Sequence, residues 1–84
     1  NGEGEVLAIT IADNAKIAGQ KLQHVQLPIG SKFGALVRAN VGIKHPNRYD
    51  EIYTLQDDVS IQSGDMLIVL ALAYAIKDVE NLCS

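Results

Sequence analysis

Tryptophan is absent from this sequence, cysteine occurs once and histidine twice. A single thiol, Cys83, cannot close an internal disulfide, which excludes a disulfide-stapled scaffold and fits a reducing compartment. The two histidines, His24 and His45, lie far apart with no cysteine or carboxylate at ligand spacing, so no metal centre is expected. Aromatic residues make up 5% of the chain and the formal net charge is −3. The basic residues Lys16, Lys21, Lys32, Arg38, Lys44, Arg48 and Lys77 are scattered and form no stripe. A nucleic-acid partner is therefore not expected. The apolar run from Met66 to Leu72 is too short to cross a bilayer, and neither a spanning segment nor a signal peptide is expected.

Catalytic signatures are equally scarce. Ser31, Ser60 and Ser63 have no base near them in sequence, so nucleophilic catalysis is not indicated. Asp57-Asp58 could act as a carboxylate pair, but a solvated turn accounts for them as well. No glycine cluster forms a phosphate loop ahead of a helix. The chain is not expected to be an enzyme.

What remains is a small, apolar module. Its 84 residues suffice for one domain with a thin core. At 48% hydrophobic and 20% charged, folding alone would leave apolar surface uncovered, which favours association with a second copy or a neighbouring domain. Residues 1–4, Asn-Gly-Glu-Gly, read as a linker from an upstream part of a longer protein, and residues 5–84 as the domain itself.

Alternation from Glu5 to Ala12 sets Leu7, Ile9 and Ile11 on one face and Val6, Ala8 and Thr10 on the other, the pattern of a strand. Asp13-Asn14 breaks it. Ala15, Ala18, Leu22 and Val25 fall at helical spacing, which predicts a helix over 15–25, with Gly19 weakening its start and Pro28 ending it. A second strand is expected from Gly34 to about Val41. It sets Ala35, Val37 and Ala39 against Leu36, Arg38 and Asn40. A third, short strand is expected from Glu51 to Leu55. A Gly64-Asp65 turn then launches the apolar run as a buried strand. Glycine there suits a backbone conformation other residues avoid, and the Asp65 carboxylate suits backbone N–H groups. Ile76, Val79 and Leu82 mark a closing helix. The expected class is α+β, in the order β-α-β-β-β-α: a small, mainly antiparallel sheet with two helices.

Polar donors accumulate in one place. Arg38 and Asn40 share a strand face, and His45, Asn47 and Arg48 follow in a polar loop. These five residues are the candidate ligand-binding set. Together they could hold an anionic or nucleotide ligand through charge-assisted hydrogen bonds. An exposed strand edge with a polar hairpin would look the same.

Several segments, in order, resemble a known family. Gly19-Gln20-Lys21-Leu22 with Val25 and Leu27 is similar to the Gly-Lys-x-Leu-x-x-Leu stretch of the TrkA C-terminal (RCK C-terminal) domain. Phe33 to Ala39 looks like that family's second strand. Ile61-Gln62-Ser63-Gly64-Asp65-Met66-Leu67-Ile68-Val69 resembles its motif Leu-x-x-Gly-Asp-x-Leu-x-Val. The chain departs from the pattern at Ala71, where the family has glycine, and in a longer connection from Val41 to Tyr53. The resemblance implies a dimerising cytoplasmic regulatory domain of a prokaryotic potassium or cation channel or transporter. Such a domain follows an RCK nucleotide-binding or membrane transport domain of the same or a partner chain. It also implies a small effector, with a cyclic dinucleotide as the example. No effector-contacting residue of the family is carried onto this chain. The alternative is a purely structural dimerisation domain of a carrier or transcription regulator, without a ligand.

Overall fold

The computed structural model describes residues 3–39 and 50–84. Four strands form one antiparallel sheet: β1 (Gly4–Thr10), β2 (Ser31–Arg38), β3 (Glu51–Tyr53) and β4 (Met66–Leu72). They lie side by side in the order β1-β4-β2-β3, so the most apolar strand occupies an interior position. A 3-10 turn over Ala73–Ala75 leads into the α-helix α1 (Ile76–Cys83). The α+β class and the antiparallel sheet are as the sequence predicts.

Register follows the alternation. Leu7 pairs with Val69 and Ile9 with Leu67, while Phe33 pairs with Val69 and Leu36 with Leu67. These rows face the core, where Leu36, Leu67 and Val69 are buried together with Ile11, Ile17, Leu22, Ile61 and Val79. The helix α1 buries Val79 and Cys83, with Ile76 and Leu82 packed at its margins, which is the stripe its spacing implies.

Strand β2 carries one irregularity. The register shifts between Phe33 and Ala35, a bulge at Gly34 that lets both Phe33 and Leu36 face the core. Glycine is favoured there, because a Cβ would stand 3.0 Å from the Ile68 carbonyl oxygen across the ladder and the neighbour would have to give way. The strand also starts earlier than the alternation predicts, at Ser31, and ends at Arg38, short of Ala39; the expected end at Val41 lies outside the described residues.

The helix expected over 15–25 does not form. Residues 13–20 are successive turns, and only Leu22–His24 make a single 3-10 turn. Two observations explain it. Gly19 takes φ +91°, a conformation that ends a right-handed helix. The backbone is also claimed elsewhere: Gly19 N–H donates to Ile61 O, Leu22 N–H to Val59 O, and Ile61 N–H to Gln20 O. Gly19 and Leu22 N–H thus go to Ile61 and Val59 while Gln20 N–H keeps only a tight turn to Ile17 O, and tertiary hydrogen bonds replace helical ones. Burial changes accordingly: Ile17 joins Ala15 and Leu22 in the core, and Ala18 and Val25 only border it.

Candidate functional site

Arg38 ends β2 in phase with Leu36, so its side chain leaves the sheet on the core side, at the rim. Directly beside it, the turn before β4 is held by the backbone: Gly64 N–H donates to Ile11 O and Ile11 N–H to Asp65 O. Gly64 takes φ +87°, which the expected turn requires. This geometry directs the Asp65 carboxylate inward, where the residue is 2% exposed. It is the one buried charged residue among those described.

A fork joins the two. Arg38 Nε donates to Asp65 Oδ1 at 2.9 Å and Nη2 to Oδ2 at 2.9 Å, while Nη2 also donates to the Ser60 carbonyl oxygen at 2.9 Å. The Gln62 N–H donates to Asp65 Oδ2 at 2.9 Å, so the buried carboxylate is fully engaged, as a burial of this depth demands. The hydrogen bond to Asp65 raises the Arg38 pKa above its ordinary value against the opposing effect of burial. The guanidinium carbon lies 5.0 Å from the centre of the Tyr53 ring, within cation–π range. Tyr53 in turn donates its hydroxyl to Glu51, and that bond pushes the phenol pKa up. One cluster therefore ties the end of β2, the strand β3 and the Gly64-Asp65 turn together.

Of the five candidate ligand residues, Arg38 sits in this cluster. Asn40, His45, Asn47 and Arg48 lie outside the described residues. Asp57 accepts from Thr54 N–H and Asp58 pairs with Lys21, so both carboxylates serve local turn contacts. His24 is exposed in the 3-10 turn. Among the described residues no group of three or more His, Cys, Asp or Glu could hold a metal ion. No helix among them is long and apolar enough to cross a membrane.

Two features escaped the sequence reading. The Arg38–Asp65 fork is one. Its signal was present, since an arginine in phase with a core leucine needs a buried acceptor. The other is the outer face of the sheet. The run from Met66 to Leu72 reads as a strand buried on both sides, yet the structure covers one side only. Leu67, Val69 and Ala71 are buried, while Met66, Leu70 and Leu72 remain exposed. On the flanking strands Val6 and Ile52 are exposed as well. The outer rows, Val6-Leu70-Lys32, Ala8-Ile68-Ala35 and Thr10-Met66-Val37-Ile52, contain one charged residue, Lys32. An antiparallel sheet with a free face normally presents polar side chains to water.

Clefts also open on the surface of the described residues. One, of about 190 Å³, is lined entirely by apolar residues, among them Leu22, Val25, Phe33 and Leu55. Another, of about 390 Å³, lies at one end of the outer face between Gly30, Lys32, Leu70 and Leu72.

No protein-family model matches the chain. Over 79 residues, 93% of its length, the chain is 30% identical to the Trk system potassium uptake protein TrkA of Halomonas elongata. It spans 15% of that relative's length. The similarity is thus to a TrkA-related segment, and it runs through the strands and turns that build the polar cluster.

Proposed function

We propose that this chain is a regulatory domain of a prokaryotic potassium or cation transport protein, cytoplasmic in location and not itself an enzyme. It pairs with a second copy and senses a small anionic effector. The observation that carries this reading is the likeness to a potassium uptake protein along almost the entire chain. A binding module also suits the described side chains, whose ionic contacts go to turns and strand ends and leave no acid–base pair aimed at a cleft. The mechanism is a population shift. An effector that prefers one arrangement of the paired domains transmits that preference to a neighbouring nucleotide-binding or transport domain, and a coupling of about 1–3 kcal/mol changes a gate five- to 150-fold.

The ligand set is Arg38, Asn40, His45, Asn47 and Arg48, with a cyclic dinucleotide as the first effector to try. Arg38 is held by Asp65 and Ser60, so replacing it alters stability as well as any binding. Arg48→Ala is therefore the discriminating variant. Calorimetric titration with cyclic di-AMP and a panel of nucleotides is expected to give micromolar binding that Arg48→Ala abolishes at an unchanged melting temperature. One observation favours the ligand-free alternative: the arginine most suited to an anion already has an intramolecular partner. Failure of the whole panel to bind would establish that structural reading instead.

A further inference from the structure

We infer that the cleft beside Gly30 and Lys32 is a binding site for a small amphipathic carboxylate, an apolar body ending in one negative charge. The inference goes beyond the effector set built around Arg38. Lys32 and Arg38 stand near opposite ends of β2, about 20 Å apart along the strand.

The cleft exists because one row of the sheet lacks side chains. Leu72 pairs with Gly4 on β1, and on its other side its N–H donates to the Gly30 carbonyl oxygen. A single leucine therefore stands between two glycines, with bare backbone on either side of it. The next row, Val6-Leu70-Lys32, supplies a wall. Leu70 leans over Gly4, where a Cβ would come within 3.2 Å of its Cδ1. Tyr74 stands over Gly30, where a Cβ would meet the ring and its hydroxyl at 2.6 Å. The space of about 390 Å³ falls in the range of small-molecule sites. At about 30 Å³ for each water-sized group it admits on the order of ten non-hydrogen atoms.

The rim is braced without a ligand. Gly30 takes φ +91°, and the Ser31 N–H and hydroxyl both donate to the Pro28 carbonyl oxygen. With Leu72 N–H holding Gly30 from the neighbouring strand, little ordering is left for a ligand to impose.

The lining selects the chemistry. Leu70 and Leu72 are partly exposed and offer apolar contact along the body of a ligand. Lys32 forms no ion pair with a described residue. Glu5 is in phase with Leu7, so it leaves β1 on the side away from Gly4 and Val6. One ammonium without an acid beside it matches one carboxylate through a charge-assisted hydrogen bond, and the Tyr74 hydroxyl is a second donor at the edge of the same cleft. A cationic ligand would meet Lys32 with nothing to receive it, and a polyanion would find one positive charge on a chain of net charge −3.

The test is an amide NMR titration of the isotope-labelled chain with octanoate, with octanol and octylamine as neutral and cationic bodies of the same length. Octanoate is expected to bind saturably, to shift the amides of Gly30, Ser31, Lys32 and Leu72, and to bind at least about ten-fold more tightly than octanol. Octylamine should not shift them. Lys32→Gln should weaken octanoate to the level of octanol, while Lys77→Gln on α1 leaves it unchanged. Tyr74→Phe keeps the ring over Gly30, removes the hydroxyl and should weaken binding by about two- to five-fold. Circular dichroism reports whether each variant folds, and the comparison of the three ligands reads charge selectivity on the parent chain alone. Octanoate that shifts none of these amides, or binds no more tightly than octanol, would overturn the proposal. So would an affinity that a folded Lys32→Gln variant retains.

Discussion

Removing the guanidinium of Arg38 should be among the most damaging single changes at the rim of this domain. Asp65 accepts three hydrogen bonds, two from Arg38 and one from Gln62 N–H, at 2% exposure. Arg38→Ala removes two of the three together with the only positive charge bonded to the carboxylate. Breaking a buried pair by deleting one partner costs about 3–5 kcal/mol when the remaining charge stays dry. The Arg38 side chain is 21% exposed, so water can enter the vacated place and the loss is smaller. We expect about 2–3 kcal/mol. In a domain of this size each kcal/mol moves the melting temperature by about 4–8 °C, giving a fall of about 10–20 °C. Thermal and urea denaturation followed by circular dichroism read it directly. Arg38→Lys should recover only part of the loss, since an ammonium cannot reproduce the two-pronged contact. A double-mutant cycle with Asp65→Asn should return a coupling of about 1–3 kcal/mol. An Arg38→Ala variant melting within about 2 °C of the parent would refute the assignment, since the fork would then contribute no more than an exposed pair.

Other substitutions separate strain, sterics and burial. Gly64→Val should cost about 1–2 kcal/mol through its backbone alone, because φ is +87° while a Cβ there meets nothing within 4 Å. Gly34→Ala should cost about 1–3 kcal/mol for the opposite reason, an ordinary φ with the Ile68 carbonyl in the way, and both show as lowered urea midpoints. Leu67→Ala should lose about 2–5 kcal/mol in the same titration. Leu70→Ala, on the exposed outer face, should leave the urea midpoint little changed by comparison. Burial raises the Cys83 thiol pKa. The unfolded thiol therefore ionises first, and its contribution to stability is present below the ordinary thiol range and declines as pH rises from there towards the folded value. The melting temperature should drop in alkali with a slope that Cys83→Ala lessens, the raised Tyr53 phenol supplying part of the remainder.

Lys21→Ala should not shift the melting temperature measurably. Its partner Asp58 is fully solvated, and the pair lowers the Asp58 pKa without burying any charge.

The strands were legible because alternation survives inspection residue by residue. Leu7, Ile9 and Ile11 against Val6, Ala8 and Thr10 is also how β1 is buried. The closing helix was legible for the same reason at a different period, through Ile76, Val79 and Leu82. The segment 15–25 was not, because its helical spacing competes with strand-like pairing to residues 59–61, a partner more than thirty residues away. Arg38 was singled out as a candidate ligand residue, and the structure places it in an ion pair with Asp65. Its proposed company in the loop lies outside the described residues, whereas Asp65, Ser60 and Tyr53 are its neighbours in space.

Local chemistry alone therefore determined which residues alternate and where glycine must bend the chain before β4. These depend on a residue and its neighbours in sequence. Tertiary structure alone decided the strand order β1-β4-β2-β3, the bulge that turns Phe33 and Leu36 to one side, and the union of Arg38 with Asp65. It also decided that the apolar run is covered on one face and bare on the other. The physical reason is that a run of apolar residues specifies burial without saying by what. On the inner face the chain supplies α1 and the turn segment, and on the outer face it supplies nothing among the described residues.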